Sequence, residues 1–288
     1  MRGAALGAAV VLLCAACSGE PPAARPAGTA PSSAAPAAPA VPAVPGVEAE
    51  VVRLRTDVVV GGQVQVRVSD TGDEPFTVTA VAIDSPGFVP EPATAVTAEF
   101  RPGRVIDLPT PYGAPVCTGG PSPAAARLSV TRPGGAVEEV RVPLTGDDLE
   151  VVHEEECALA GVRAVVDVVL TGMTAGDEEV TGTLVLRRRG DDDRAVSAVD
   201  VRDSVVFDVA VDGLPLGLGA DDDEARAGVT LTSATCEPHV LAETKQPFVF
   251  PLQVVVDDAD PVPVRLPVDA AQQDLLWQLV DRVCAPAG

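Results

Sequence analysis

The sequence predicts an all-β protein made of two tandem β-sandwich units, and three observations carry that expectation. From Val47 onward, short Val-rich runs alternate apolar and polar residues, as in Gln63-Val64-Gln65-Val66-Arg67-Val68 and Val262-Pro263-Val264-Arg265-Leu266. Clusters of Gly, Pro and Asp, such as Pro133-Gly134-Gly135 and Asp257 to Pro261, punctuate these runs about every 8–12 residues, as hairpin turns do. The third observation is repetition. Val66, Val68, Gly72, Val78, Ala80, Val81 and Ile83 recur 118 residues later as Leu184, Leu186, Gly190, Val196, Ala198, Val199 and Val201. Cys117 recurs as Cys236 at an offset of 119, and Val140-Arg141-Val142-Pro143 as Val264-Arg265-Leu266-Pro267 at 124. Leu149, Val152 and Cys157 recur as Leu276, Leu279 and Cys284 at 127. The offset grows only where a loop can lengthen, and ordered Cys, Pro and Gly landmarks rarely align by chance. The reading is a tandem duplication, with copies at residues 47–160 and 161–288.

Two segments precede the first copy. Residues 1–16 read as a signal peptide: Arg2 supplies a positive start, Ala4 to Ala16 an apolar stretch, and Ala15-Ala16 small residues before Cys17. The stretch is shorter than the ~20 apolar residues of a permanent span. Leu13-Cys14-Ala15-Ala16-Cys17-Ser18 resembles the lipobox of bacterial lipoproteins, whose peptidase cuts before a lipid-modified cysteine. It departs from that pattern at Cys14, where the family usually has Leu. The resemblance implies that Cys17 becomes a diacylated, palmitate-bearing N-terminus on the extracytoplasmic face of the cell membrane. Two acyl chains anchor stably where one does so only marginally. Residues 17–46 are rich in Pro, Ala, Ser and Gly. Proline fixes φ and lacks an N–H, so a disordered, polyproline-like tether is expected, up to ~90 Å long when fully extended.

Each copy is expected to end in the same way, with a strand, a Pro, an acidic cap, an apolar-faced helix and a Cys. In the second copy Asp269 and Gln272 form a capping box. Leu276, Leu279, Val280, Val283 and Cys284 then share one helical face. Asp147 and Glu150 would cap the first helix, which reads as the shorter of the two. With Cys14 removed and Cys17 lipidated, four cysteines remain, and export favours their oxidation. Of the three connectivities, the repeat selects Cys117–Cys157 and Cys236–Cys284. Each would close a loop of ~40–50 residues and contribute about 4 kcal/mol by the chain-entropy account.

The architecture from Val47 to Gly288 resembles immunoglobulin-like (Ig-like) sandwiches in general. It is not similar to antibody domains, which place a Trp between the inter-sheet cysteines. The sole Trp here, Trp277, lies on the terminal helix.

Composition excludes several function classes. The 288 residues carry 20 Lys+Arg against 42 Asp+Glu, a net charge of −22 that repels nucleic acid and anionic membrane surfaces. Loss of Arg2 with the leader makes the mature chain one unit more negative, so its lipid must hold it to the membrane. There is no Gly-x-Ser-x-Gly elbow, Walker loop or His-Glu-x-x-His, and any histidine chemistry must use His153 or His239. His153 and Cys157 stand at i, i+4, a spacing that suits a soft metal, but Cys157 is needed for the disulfide and His153 aligns with an ordinary face position, Val280. Cys236-Glu237-Pro238-His239 resembles half a zinc site with no second half. The acidic runs Asp191-Asp192-Asp193, Asp221-Asp222-Asp223-Glu224 and Asp257 to Asp260 fall in expected loops. Two such loops together would offer Ca²⁺ its six to eight oxygens, whereas solvated surface charge is the plainer reading. Arg187-Arg188-Arg189 would pair with Asp191 to Asp193. Few aromatics are present to bind sugar, although Tyr112 reads as a possible exposed contact.

The expected function is a lipid-anchored, non-enzymatic binding or scaffold module, without a cofactor, for a protein or cell-envelope partner. A Ca²⁺-dependent adhesin or sensor using the acidic loops is the second reading. A hydrolase using a carboxylate pair is the third.

Overall fold

The computed structural model describes residues 40–285, so the leader at 1–16, Cys17 and most of the 17–46 tether lie outside the described residues. The first half comprises β1 (Val47–Val52), α1 (Arg55–Val60), β2 (Gln63–Asp70), β3 (Phe76–Asp84), β4 (Thr94–Phe100), β5 (Val105–Pro111), β6 (Ala125–Thr131), β7 (Val137–Thr145) and α2 (Asp148–Val165). The second comprises β8 (Val166–Ala175), β9 (Glu179–Arg188), β10 (Val196–Val201), β11 (Phe207–Val211), β12 (Leu216–Leu218), β13 (Glu224–Ser233), α3 (Pro238–Glu243), β14 (Pro251–Val256), β15 (Val262–Arg265) and α4 (Ala270–Val283). The protein is mostly β, as alternation in the sequence predicts. In β1, for example, Val47, Ala49 and Val51 point inward while Glu48 and Glu50 face solvent.

Strands of the first half form one sheet in the order β4-β3-β6-β7-β1-β2-β5. Its ends share a single core: Val64, Val66 and Val68 of β2 pack with Val78 and Val81 of β3 and Leu128 of β6. Strand β7 belongs to both ends, pairing antiparallel with β6 and, at its last residues, parallel with β1 (Ala49 opposite Leu144). The second half has two four-stranded sheets, β12-β10-β14-β15 and β11-β13-β9-β8, over a second core that includes Leu184, Leu186, Leu231, Leu252 and Leu276.

The two halves pair their strands alike. The pairs β1–β2, β2–β5, β3–β4, β3–β6 and β6–β7 have the counterparts β8–β9, β9–β13, β10–β12, β10–β14 and β14–β15. Strand β11 is extra. The registers differ in detail: Val81 faces Leu128, whereas Val201 rather than its repeat mate Val199 faces Leu252, a two-residue shift that holds on both sides of the bulges in β3 and β10.

The helices depart from expectation in three ways. First, α2 is the longer helix, at 18 residues against 14 for α4. It continues past Cys157 because both of its ends find buried partners. Leu149 and Val152 enter the first core, and Val162 and Val165 the second. The expected copy limit at 160/161 therefore falls inside a helix that serves both cores. Second, the Asp147 side chain does not cap α2. Asp148 Oδ2 instead accepts from the Arg53 N–H at 2.7 Å, and Glu150 accepts from the Ser122 hydroxyl. Third, Val283 is 39% exposed, although Leu276, Leu279 and Val280 are buried on its helical face. The capping box on α4 forms as expected, with Gln272 N–H to Asp269 Oδ1 at 2.9 Å and Asp269 N–H to Gln272 Oε1 at 2.8 Å.

The scarce aromatics go to the cores. Phe76 stacks on Phe100 at 4.8 Å between ring centroids, and Trp277 meets Phe248 edge-on at 5.4 Å. Among the described residues, no helix is long and apolar enough to cross a membrane.

Candidate functional site

Both cysteine pairs close as the repeat predicts, Cys117–Cys157 across 40 residues and Cys236–Cys284 across 48. In each half the bridge ties the helix that follows the last strand to an upstream loop. Around the first bridge, three consecutive residues of α2 each hold a different segment. Glu155 pairs with Arg53 at 2.7 Å, Glu156 accepts from the Tyr112 hydroxyl at 2.8 Å, and Cys157 bonds Cys117. Tyr112 is thus not the exposed contact expected from its Pro/Gly-rich surroundings. It is half-buried against Phe88 (5.2 Å), and its phenol is pushed up to about 12 by burial first and by Glu156 second. The Arg53 guanidinium is likewise raised, chiefly by its bond to Glu155.

His153 lies buried one turn before Cys157, with its ring edge-on to Phe88 at 5.4 Å. Its Nε2 is 3.2 Å from the Val116 carbonyl oxygen and 3.6 Å from Cys157 Sγ. A carbonyl only accepts, so Nε2 carries the proton. The soft-metal arrangement of His153 with Cys157 does not form, because the sulfur is bonded to Cys117. His239, the other histidine, is exposed and pairs with Glu243 at 3.4 Å, away from any second half of a zinc site. Among the described residues, no group of three or more His, Cys, Asp or Glu side chains is placed to hold a metal ion.

The loops carrying Asp191, Asp192, Asp193 and Asp221, Asp222, Asp223 do come together, but around an arginine. The Arg188 guanidinium donates to the carbonyl oxygens of Asp192 (2.6 Å), Arg194 (2.9 Å), Asp222 (2.9 Å) and Gly219. Oxygens of the kind Ca²⁺ would recruit are already turned onto a fixed cation. The arginine triplet also does not pair with Asp191 to Asp193 as expected. Arg187 pairs with Glu224 at 3.3 Å and Arg189 with Asp167 at 3.5 Å, while Asp192 is taken by Arg194 at 2.7 Å. That last pairing, led by the Arg194 side-chain hydrogen bond, lowers the Asp192 carboxyl to about 2. Asp257 accepts from the Ala195 N–H at 3.1 Å and, with Asp192 first and Asp193 last, its charge raises the Arg194 guanidinium.

The strand pattern itself marks Arg188. On β9 the side chains of Leu184 and Leu186 point inward, so period-two alternation turns Arg188 to the same side. A second feature had no sequence signal. A shallow groove of about 520 Å³ runs along α2, lined by Pro115, Glu156, Ala160, Arg163, Ala164 and Arg189. Small side chains leave its floor open, and two arginines line it on an otherwise acidic chain. Arg189 Nη1 donates to the Arg163 carbonyl at 3.1 Å, which holds the two segments together. The groove has the size of a small-ligand or side-chain pocket; its charged lining is mixed, with Glu156 beside the two arginines and Arg189 already paired with Asp167.

The chain matches no protein-family model, and no curated protein matches it in sequence.

Proposed function

We propose that this is an exported lipoprotein, held outside the cell membrane by lipid on Cys17, in which two tandem Ig-like units serve as a non-enzymatic binding or scaffold module. The observation that carries this reading is one disulfide per half, each joining the helix after the last strand to a loop. Such paired bridges suit an oxidising compartment, which agrees with the leader and the lipobox-like Leu13 to Ser18. The matching strand-pairing scheme supports descent from one duplicated unit, with α2 shared between its two products. The groove supports contact with a protein or envelope partner through Arg163, which forms no ion pair among the described residues and would meet an acidic group beside the lining Glu156. Convergence of the acidic-loop carbonyls on Arg188 weighs against the Ca²⁺-dependent alternative.

Fractionation tests the anchor. The wild-type protein is expected in the membrane fraction and Cys17→Ser in the medium or soluble envelope fraction, and retention of Cys17→Ser in the membrane would overturn it. A photo-crosslinking residue at Ala164 tests the groove. Crosslinks to one envelope component, lost on Arg163→Glu, support the binding role, and their absence in intact cells counts against it.

A further inference from the structure

The two disulfides are chemically unequal. Cys117 and Cys236 are both exposed, and Cys157 and Cys284 are both half-buried, so access does not distinguish them. Their neighbours do. Cys157 Sγ lies 3.6 Å from His153 Nε2, whose proton is fixed on that nitrogen by the Val116 carbonyl at 3.2 Å. Four residues before Cys284 stands Val280, which has no polar side-chain atom, and among the described residues Cys284 Sγ meets the Thr235 carbonyl oxygen at 3.8 Å, which offers a thiolate no proton.

We propose that Cys117–Cys157 is an exchangeable disulfide, opened by external thiols through Cys117 with Cys157 as the leaving sulfur, while Cys236–Cys284 is a purely structural bridge. In the first step a thiolate, from glutathione or the dithiol of an exported oxidoreductase, attacks exposed Cys117 Sγ. Its electron pair forms the new S–S bond. The pair of the Cys117–Cys157 bond departs on Cys157 Sγ, 3.6 Å from His153 Nε2, whose single N–H is shared between the new thiolate and the Val116 carbonyl. A second thiolate then attacks the reagent sulfur of the mixed disulfide and releases Cys117. That thiolate takes its proton from water, so one protein disulfide is reduced and two reagent thiols become a disulfide. A stabilised leaving thiolate speeds exchange and favours the reduced form. In Cys284 the same charge would form beside a carbonyl lone pair. Opening frees the loop around Cys117 from α2 next to the groove, so the exchange would change the surface offered to a partner.

The test is graded reduction of the purified chain with glutathione buffers, acid quenching, alkylation and peptide mass mapping of both bridges. Cys117–Cys157 is expected to open at about tenfold lower reduced glutathione than Cys236–Cys284, with the mixed disulfide on Cys117. His153→Val is expected to abolish this preference, and His153→Gln, which keeps an N–H donor, to retain part of it. Simultaneous opening in the wild type, prior opening of Cys236–Cys284, an adduct on Cys157, or an undiminished preference in His153→Val would each overturn the proposal. Should His153→Val fail to fold, the wild-type order and adduct position decide by themselves.

Discussion

The Tyr112 hydroxyl donates to Glu156 Oε1 at 2.8 Å, and so joins the end of β5 to α2 one residue before the disulfide. With Arg53–Glu155 beside it, this bond makes the middle of α2 the most heavily tethered stretch of the helix. The ends of the helix are also buried in two separate cores, and at its start Asp148 and Glu150 accept from the Arg53 N–H and the Ser122 hydroxyl.

Tyr112 is the only tyrosine, so a near-ultraviolet titration reads it alone. Its pKa is expected to rise from the ordinary 10.0 to about 12 in the folded chain and to return in denaturant. A group whose folded pKa is raised contributes fully below its unfolded value. Stability from Tyr112 is therefore intact below pH 10.0 and is lost as pH climbs toward 12. Tyr112→Phe, which removes the bond but keeps the ring, is expected to cost about 1 kcal/mol in denaturant unfolding.

Asp192 titrates in the opposite sense. Arg194 lowers it from 3.8 to about 2, so its contribution is present above pH 3.8 and fades as pH falls toward 2. Carbon-detected NMR of the carboxyl group should show the depressed midpoint, and Arg194→Ala should bring it back to the ordinary carboxylate range.

Arg188 organises the acidic loops through backbone oxygens. Arg188→Ala is expected to cost about 2 kcal/mol, because several charge-assisted hydrogen bonds go at once. Hydrogen exchange should quicken at residues 191–194 and 219–223. Arg188→Lys should not rescue it, since an ammonium lacks the planar fork that reaches several carbonyls. An unchanged midpoint in Arg188→Ala would show the loops to be held by other means.

Gly87 is required by close approach. A Cβ there would lie 2.6 Å from Pro121 Cα and 2.9 Å from His153 Cδ2, whereas one on Gly119 would meet nothing within 4 Å. Gly87→Ala is expected to lose about 1–3 kcal/mol through overpacking, and Gly119→Ala to leave the melting temperature nearly unchanged.

The sequence made legible whatever depends on periodicity and on ordered landmarks. Alternation located β2 and β15, Pro133-Gly134-Gly135 the turn between β6 and β7, and the repeat chose both disulfides. It misjudged what tertiary burial decides. Residues 158–165 carry little amphipathic signal, yet α2 continues through them because Val162 and Val165 reach the second core. The Tyr112–Glu156 bond spans 44 residues, and no local pattern announces it. Arg188 was readable as an inward position on β9, but its charged neighbours Arg187 and Arg189 disguised it as surface. The groove along α2 joins Pro115 to Arg189, a juxtaposition that only the folded chain creates.

The most direct measurement of the central proposal is mass mapping, without reduction, of the mature protein purified from membranes of the cells that make it. The expected result is an N-terminus at Cys17 carrying diacylglycerol, residues 1–16 absent, and the two bridges confined each to its own half. A chain that keeps residues 1–16 with Cys17 unmodified and four free thiols would contradict it.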